Sequence, residues 1–317
     1  MRVAFCGKGG SGKTTLASSF ASWLVEQRKC VLAIDADLNQ HMGAALGLSE
    51  DTINNLPELG SDQDILKSHV RGNNPLIPSN DQLVKTSPPY RGSGFINLKS
   101  NDNPVLDYYA YQDRNFQFIR IGGFHDEDIG TSCYHAKTGA LELLLNYTLD
   151  QPEDNIVVDM TAGADSFASG LFTRFDLTVL VVEPTLRSLS VVDQYHQYAQ
   201  DYDVNLKIVG NKVSDEEDRR FLVERLGDDL IGFFNQSRWI RNKDRGVNAS
   251  IKELEDDNQE CLQQLYEAGT SIERNWDRYW AQAIAIHKKN AESWANAMTG
   301  VDLTKQIRHD FLKKLCA

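Results

Sequence analysis

Gly7-Lys8-Gly9-Gly10-Ser11-Gly12-Lys13-Thr14-Thr15 follows the apolar run Val3-Ala4-Phe5-Cys6 and opens a stretch with helical spacing. The spacing is G-x4-G-K-[ST], set between a strand and a helix, which is the context this motif needs. Glycines let backbone N–H groups turn inward around phosphate oxygens, and the start of the helix adds positive potential. On this reading Gly7, Gly9, Gly10, Ser11 and Gly12 form a phosphate cradle that Thr15 completes. Lys13 reaches the β- and γ-phosphates, and the Thr14 hydroxyl ligates Mg²⁺. A loop of this kind joins a buried strand to a crossover helix and so fixes the class of the domain around it.

Outward from the loop, apolar runs at 3–6, 31–34, 116–121, 156–158, 177–182, 206–209 and 230–234 read as strands. Most are continuously apolar and β-branched, as parallel strands buried on both faces are. Helical spacing falls between them at about 13–28, 138–149, 188–200 and 215–226. The alternation predicts an α/β fold: a three-layer, mostly parallel sheet with right-handed crossovers. Residues 1–245 are expected to form this domain. Residues 54–115, rich in Asn, Pro, Ser and Gly, interrupt the rhythm and read as an inserted irregular flap with one helix near 62–70. Residues 246–317 contain no strand candidate and read as a helical extension, with segments at 254–267, 272–295 and 303–315. Trp276, Tyr279, Trp280, Ile284 and Ile286 place an apolar stripe on the middle segment.

The 317 residues are 41% hydrophobic and 25% charged, the balance of a globular chain with a sizeable core. No run of about 18 apolar residues exists, and no secretory signal pattern opens the chain. Asp plus Glu total 45 against 33 Lys plus Arg, a net charge of −12, which opposes generic binding to a nucleic-acid backbone. Five scattered cysteines without a CxxC pair read as reduced thiols in a cytoplasmic protein.

Further motifs follow in order. Ala33-Ile34-Asp35-Ala36-Asp37 ends the second strand, and Val157-Val158-Asp159 ends another before the small-residue turn Thr161-Ala162-Gly163. A strand-end Asp159 suits a carboxylate that holds Mg²⁺ through water, and Gly163 can bring its N–H against a γ-phosphate. Asn211-Lys212-Val213-Ser214 follows a further strand. It lacks the aspartate whose paired acceptors hold guanine, so ATP is favoured over GTP. Pro184, in Glu183-Pro184-Thr185, is expected to line the same base pocket with Asn211 and Lys212.

The second lysine, in Gly7-Lys8-Gly9-Gly10-Ser11-Gly12-Lys13-Thr14-Thr15, resembles the deviant Walker A motif of the ParA/MinD superfamily. That superfamily also contains the CooC-like metalloenzyme-maturation ATPases, and the resemblance covers roughly residues 1–250. It implies slow, Mg²⁺-dependent ATP hydrolysis by a homodimer that closes on ATP and acts on a client protein. It implies that Lys8 reaches the partner's nucleotide in trans, that Asp37 orients the attacking water, and that Asn211 faces the adenine. Asp35 is then either structural or a neighbour of the Mg²⁺ site. The family often has Pro after the second Asp, where this chain has Leu38. CooC-like members carry a Cys-x-Cys metal pair near the position of Cys133-Tyr134-His135, so Cys133 and His135 are candidate ligands for Zn²⁺ or Ni²⁺ across a dimer axis. A positioning or partitioning ATPase, or a regulatory ATPase switch without metal cargo, is the alternative. The membrane branch of the positioning ATPases would use residues 305–315, which are expected instead to dock on the folded domain.

Overall fold

The computed structural model describes the chain except residues 101, 124–133, 164–168, 248 and 316–317, and except the side chains of 134–136. Each apolar run becomes a strand: β1 (Arg2–Cys6), β2 (Cys30–Ala36), β4 (Phe116–Arg120), β5 (Asp154–Met160), β6 (Leu177–Val182), β7 (Leu206–Val213) and β8 (Leu230–Asn235). A short β3 (Tyr111–Asp113) precedes β4. The order across the sheet is β3-β4-β2-β5-β1-β6-β7-β8. All neighbours are parallel save β3, which pairs antiparallel with β4 as a hairpin. The sheet is thus the mostly parallel, helix-flanked sheet that the sequence predicts.

Side chains alternate between two cores. Ala4, Cys6, Leu32 and Ile34 face one layer, and Val3, Phe5, Val31 and Ala33 face the other. Helices Lys13–Glu26 and Asp256–Thr270 cover the second face, while helix Tyr134–Tyr147 covers the first. Because β1 lies between β5 and β6, the loop after it opens at the carboxyl ends of the strands. Ligands bind there in open α/β sheets.

The insertion is built differently from the expected flap. Helices Glu50–Asn55, Asp64–Arg71 and Pro104–Tyr109 punctuate it, and it ends in β3. Leu66, Ile77, Leu83, Ile96, Leu106 and Tyr109 are at most 2% exposed and belong to the main core. The segment is therefore a packed layer. Its polarity misleads because its apolar anchors come singly from loops, with no period to mark them.

The extension is more broken than its spacing suggests. The middle helix runs Trp276–Asn290, passes into a π-turn over Ala291–Ala295, and stops at Gly300, whose φ of +72° is a left-handed cap. The tail splits into a short turn, Leu303–Gln306, and helix His309–Lys314. Ile307 and Leu312 pack on Tyr279, Trp280 and Ile284, while Ile286 is half-buried beside Gly170. Polar anchors fix this assembly to the rest. Arg274 forms paired hydrogen bonds with Asp150 and Asp176 at 2.7–3.1 Å, and Arg2 reaches Asp150 at 2.6 Å. No helix among the described residues is long and apolar enough to cross a membrane.

Candidate functional site

The loop between β1 and helix Lys13–Glu26 takes a shape that only glycine allows at its turning points. Gly7, Gly10 and Gly12 have φ of +146°, +85° and +91°. A Cβ on Gly12 would stand 2.0 Å from Asn211 Nδ2, and one on Gly7 2.5 Å from the Val181 carbonyl. At Gly7 and Gly12 the cradle is thus pressed against β6 and β7 with no room for a side chain, whereas at Gly10 the space is open. Ser11 is buried and its Oγ has no hydrogen-bond partner.

Lys13 is 5% exposed and lies 3.9 Å from Asp37 Oδ2. Asp37 Oδ1 accepts from the Asn39 backbone N–H at 2.8 Å and from Asn39 Nδ2 at 3.0 Å, which aims the other oxygen at Lys13. Asp35 accepts from the Met42 amide at 2.8 Å and from the Asp37 amide at 3.3 Å, so it closes the turn after β2. Burial pushes Asp35 up to about 7, against the pull of those amides. These contacts agree with a structural role for Asp35, and its register pairing with Asp159 also makes it a neighbour of that carboxylate.

Asp159 stands within β5, fully buried, and neither carboxylate oxygen has a hydrogen-bond partner. Burial, followed by the charge of Asp35, raises its pKa well above the ordinary carboxylate range; Thr14 and Lys13 oppose that rise. An orphaned buried carboxylate is costly unless something completes it. Together with the Thr14 hydroxyl it offers oxygen donors only, the set that Mg²⁺ takes alongside phosphate and water. The residues present fit that ion.

Other predicted contacts differ in detail. The Gly163 N–H donates to the Gly7 carbonyl at 3.0 Å, so in this conformation it closes on the loop and does not point at a phosphate. Asn211 Nδ2 donates to the Ser11 carbonyl at 2.7 Å, which makes Asn211 a brace of the loop, with that amide arm withheld from a base. Lys212 sits at an irregularity between β7 and β8 with φ +59°, and this left-handed turn swings Nζ onto the Gly10 carbonyl (2.6 Å) and Glu183 Oε1 (2.5 Å). Pro184 follows Glu183 beside this clamp, half-buried. Lys8 Nζ donates to the Arg187 carbonyl and Ser190 Oγ, both at 2.8 Å, and so rests on its own chain. Thr15 lines a cavity of about 460 Å³ with Thr14, His41, Trp239 and Lys243, large enough for a nucleoside. Cys133 and the side chain of His135 lie outside the described part of the chain. Among the described residues there is no cluster of three or more His, Cys, Asp or Glu suited to a metal.

Two contributors escaped the sequence reading. Gln40, with φ +53°, donates to the Asp37 carbonyl at 2.6 Å and accepts from the Gly122 amide at 3.3 Å, which ties the turn after β2 to the end of β4. Trp239 enters from the helix Arg238–Asp244, whose N-cap Ser237 is the one local sign of its start.

Residues 3–92 match the family model described as an AAA domain. The chain is 26% identical over 234 residues to the carbon monoxide dehydrogenase accessory protein CooC of Rhodospirillum rubrum, covering 73% of this chain and 82% of that protein. The chain is thus similar in sequence to CooC and carries a partial match to an AAA domain. An uncharacterized ATP-binding protein of Methanocaldococcus jannaschii is similar at 27% identity over 238 residues, 74% of this chain and 84% of that one. The ParA family ATPase from Chlorobium tepidum shares the fold with a TM-score of 0.56 at 18% identity, over 84% of this chain and 98% of that one. The cell-division ATPase MinD of Pyrococcus furiosus does so with a TM-score of 0.55 at 16% identity, over 84% and 97%. These solved structures share the fold around the loop that carries Lys13.

Proposed function

We propose that this protein is a ParA/MinD-type ATPase that binds ATP with Mg²⁺, hydrolyses it slowly as a nucleotide-closed homodimer, and serves as a maturation ATPase for a client protein. The observation that carries the nucleotide chemistry is Asp159, a buried carboxylate without a partner beside Thr14 and Lys13. Bound Mg²⁺ would supply charge neutralisation at the phosphates. Lys13 would hold the β- and γ-phosphates, the loop amides would cradle them, and Asp37, steered by Asn39, would orient the water. Dimer closure is supported by the surface around Lys8, where Leu186 is 70% exposed beside the site. On closure Lys8 would leave Arg187 and Ser190 for the partner's nucleotide. Similarity to a carbon monoxide dehydrogenase accessory protein favours a maturation role over a positioning one. The burial of Ile307 and Leu312 agrees, since it withholds the tail from a membrane surface. Cys133 and His135 remain the candidate ligands for a Zn²⁺ or Ni²⁺ cargo, and the location is proposed to be cytoplasmic.

The test compares nucleotide binding, turnover and mass in solution. Lys13→Ala should lose ATP binding. Lys8→Ala should keep it but lose ATP-driven dimerisation and, by analogy with arginine fingers, on the order of 10³-fold in kcat. Normal turnover in Lys8→Ala overturns the trans role. Under ATP, Asp37→Ala should trap the client. The dimer should hold one metal per two chains, and Cys133→Ser should abolish it; retained metal sinks the cargo reading.

A further inference from the structure

Helix Lys13–Glu26 starts at the phosphate loop and ends, across the sheet, at a second polar cavity of about 620 Å³. The chain as a whole is strongly acidic, yet this cavity is lined by Arg28, Lys29, Lys99 and Arg114 with a single carboxylate, Glu153. Lys99 already pairs with Glu153 at 2.6 Å, and Lys29 Nζ lies 5.2 Å from the centre of the Tyr266 ring. The guanidinium groups of Arg28 and Arg114 make no hydrogen bond or ion pair to any described residue.

Both arginines occupy backbone positions that disfavour them. Arg28, in the turn from the helix into β2, has φ +58°, and Arg114, at the β3–β4 hairpin turn, has φ +53°. Left-handed backbone suits glycine or asparagine, and other residues held there mark sites where geometry outweighs local stability. The two turns are tied together. Asn115 Nδ2 donates to the Lys29 carbonyl at 2.5 Å, and the Val31 amide donates to the Asn115 carbonyl at 2.8 Å. The guanidinium groups are thus carried on one rigid rim.

A third group points to what the rim would hold. Gln117 lines the same cavity and is 8% exposed. Its Nε2 donates to the Leu98 carbonyl at 3.0 Å, and because a carbonyl only accepts, this identifies the nitrogen. Its Oε1 is therefore a buried acceptor, and it has no partner. Two free guanidiniums ask for an oxyanion, which they bind through paired N–H donors, and the orphaned oxygen asks for a hydroxyl or N–H.

We propose that this cavity is a second ligand site, distinct from the phosphate loop, that takes a small organic phosphate bearing a hydroxyl donor. Its volume is that of a small-molecule pocket. The phosphate binds Arg28 and Arg114, and the hydroxyl satisfies Gln117. The site stands independently of the ATPase reading.

Ribose 5-phosphate is the probe, titrated by calorimetry into protein saturated with Mg-ADP and, separately, into Lys13→Ala. One equivalent should bind in both, more tightly than inorganic phosphate. Removing each guanidinium should weaken binding about tenfold, so Arg28→Gly with Arg114→Gly should cost about a hundredfold. Glycine suits both backbone positions, so that variant should melt at an equal or higher Tm. Should it not fold, Arg114→Asn tolerates the same conformation and should show the tenfold loss alone. Gln117→Leu should erase the preference for ribose 5-phosphate over inorganic phosphate. Absence of saturable binding at millimolar probe, unchanged affinity in the arginine variants, or binding lost in Lys13→Ala would each overturn the proposal.

Discussion

Asp159 and Gly12 show how single residues proposed for the site bear on the stability of the fold. Asp159 has its pKa raised by burial, so above about pH 4 the unfolded chain holds fewer protons than the folded one. Stability then falls as pH rises towards the folded value, by up to about 1.4 kcal/mol per unit. Asp159→Asn removes that slope. In thermal melts of the nucleotide-free protein the variant should gain on wild type steadily between pH 5 and 8, while Mg²⁺-dependent nucleotide binding is lost. An equal pH slope in both proteins would show that Asp159 does not titrate as described. Gly12→Ala acts through backbone and space together, since its φ is +91° and Asn211 Nδ2 lies 2.0 Å from the added carbon. It should cost about 1–3 kcal/mol by chemical denaturation and abolish ATP binding. The glycines, Lys13 and Asp159 could be proposed from the sequence because their spacing is local and the proposed chemistry demands those residue types. The partners of Asn211, Lys8 and Gly163 could not, because each bonds across the fold to the loop or its rim.

Among elements, the apolar strands declared themselves, since parallel strands buried on both faces leave continuous β-branched runs. β3 did not: Tyr111-Gln112-Asp113 is three residues long, polar, and at the edge of the sheet. The insertion hid its contribution because Leu66, Ile77 and Ile96 enter the core from separate short segments. What fastens the helical extension was equally hidden, as it depends on charges far apart in the chain. Arg274 is shared by Asp150 and Asp176, and Arg2 holds Asp150 from β1. The flanking arginines keep Asp150 well below the usual carboxylate range despite its burial. Arg174 stacks on Tyr279, 3.9 Å from the ring centre. Removing one member of such a network strands buried charge. Arg274→Ala should therefore cost about 3–5 kcal/mol in denaturant unfolding, and a loss below about 1 kcal/mol would refute the network's role. Asp150 contributes stability that is present above its unfolded pKa and is lost as pH falls below about 4, the opposite sign to Asp159.

At the scale of the molecule, these signs combine with nucleotide binding into one measurable difference. Nucleotide-free protein carries raised carboxyls at Asp35, Asp159 and Glu142, the last pushed up to about 7 by burial, so each subtracts stability as pH rises from about 4. Buried His287 works in the other direction. Burial lowers its pKa and holds it neutral, against the pull of its contacts with Leu303 and Thr86; its Nε2–H donates to the Leu303 carbonyl. Stability it contributes is present above its unfolded value and is lost as pH falls through that range. Glu142 and His287 are remote from the phosphate loop and act alike in both states, so they cancel when loaded and nucleotide-free protein are compared. Asp159 does not cancel. With Mg²⁺ beside it the carboxylate becomes the favoured form, and its contribution changes sign. The gain in Tm from saturating Mg-ADP, beyond the mass-action term, should thus widen from pH 5 to pH 8, on the order of 1 kcal/mol for each pKa unit reversed. Calorimetric melts across that range, repeated with Asp159→Asn, check it. The variant, which no longer binds Mg-ADP, should show no gain at any pH, and a wild-type gain that is flat would remove Asp159 from the proposed metal site.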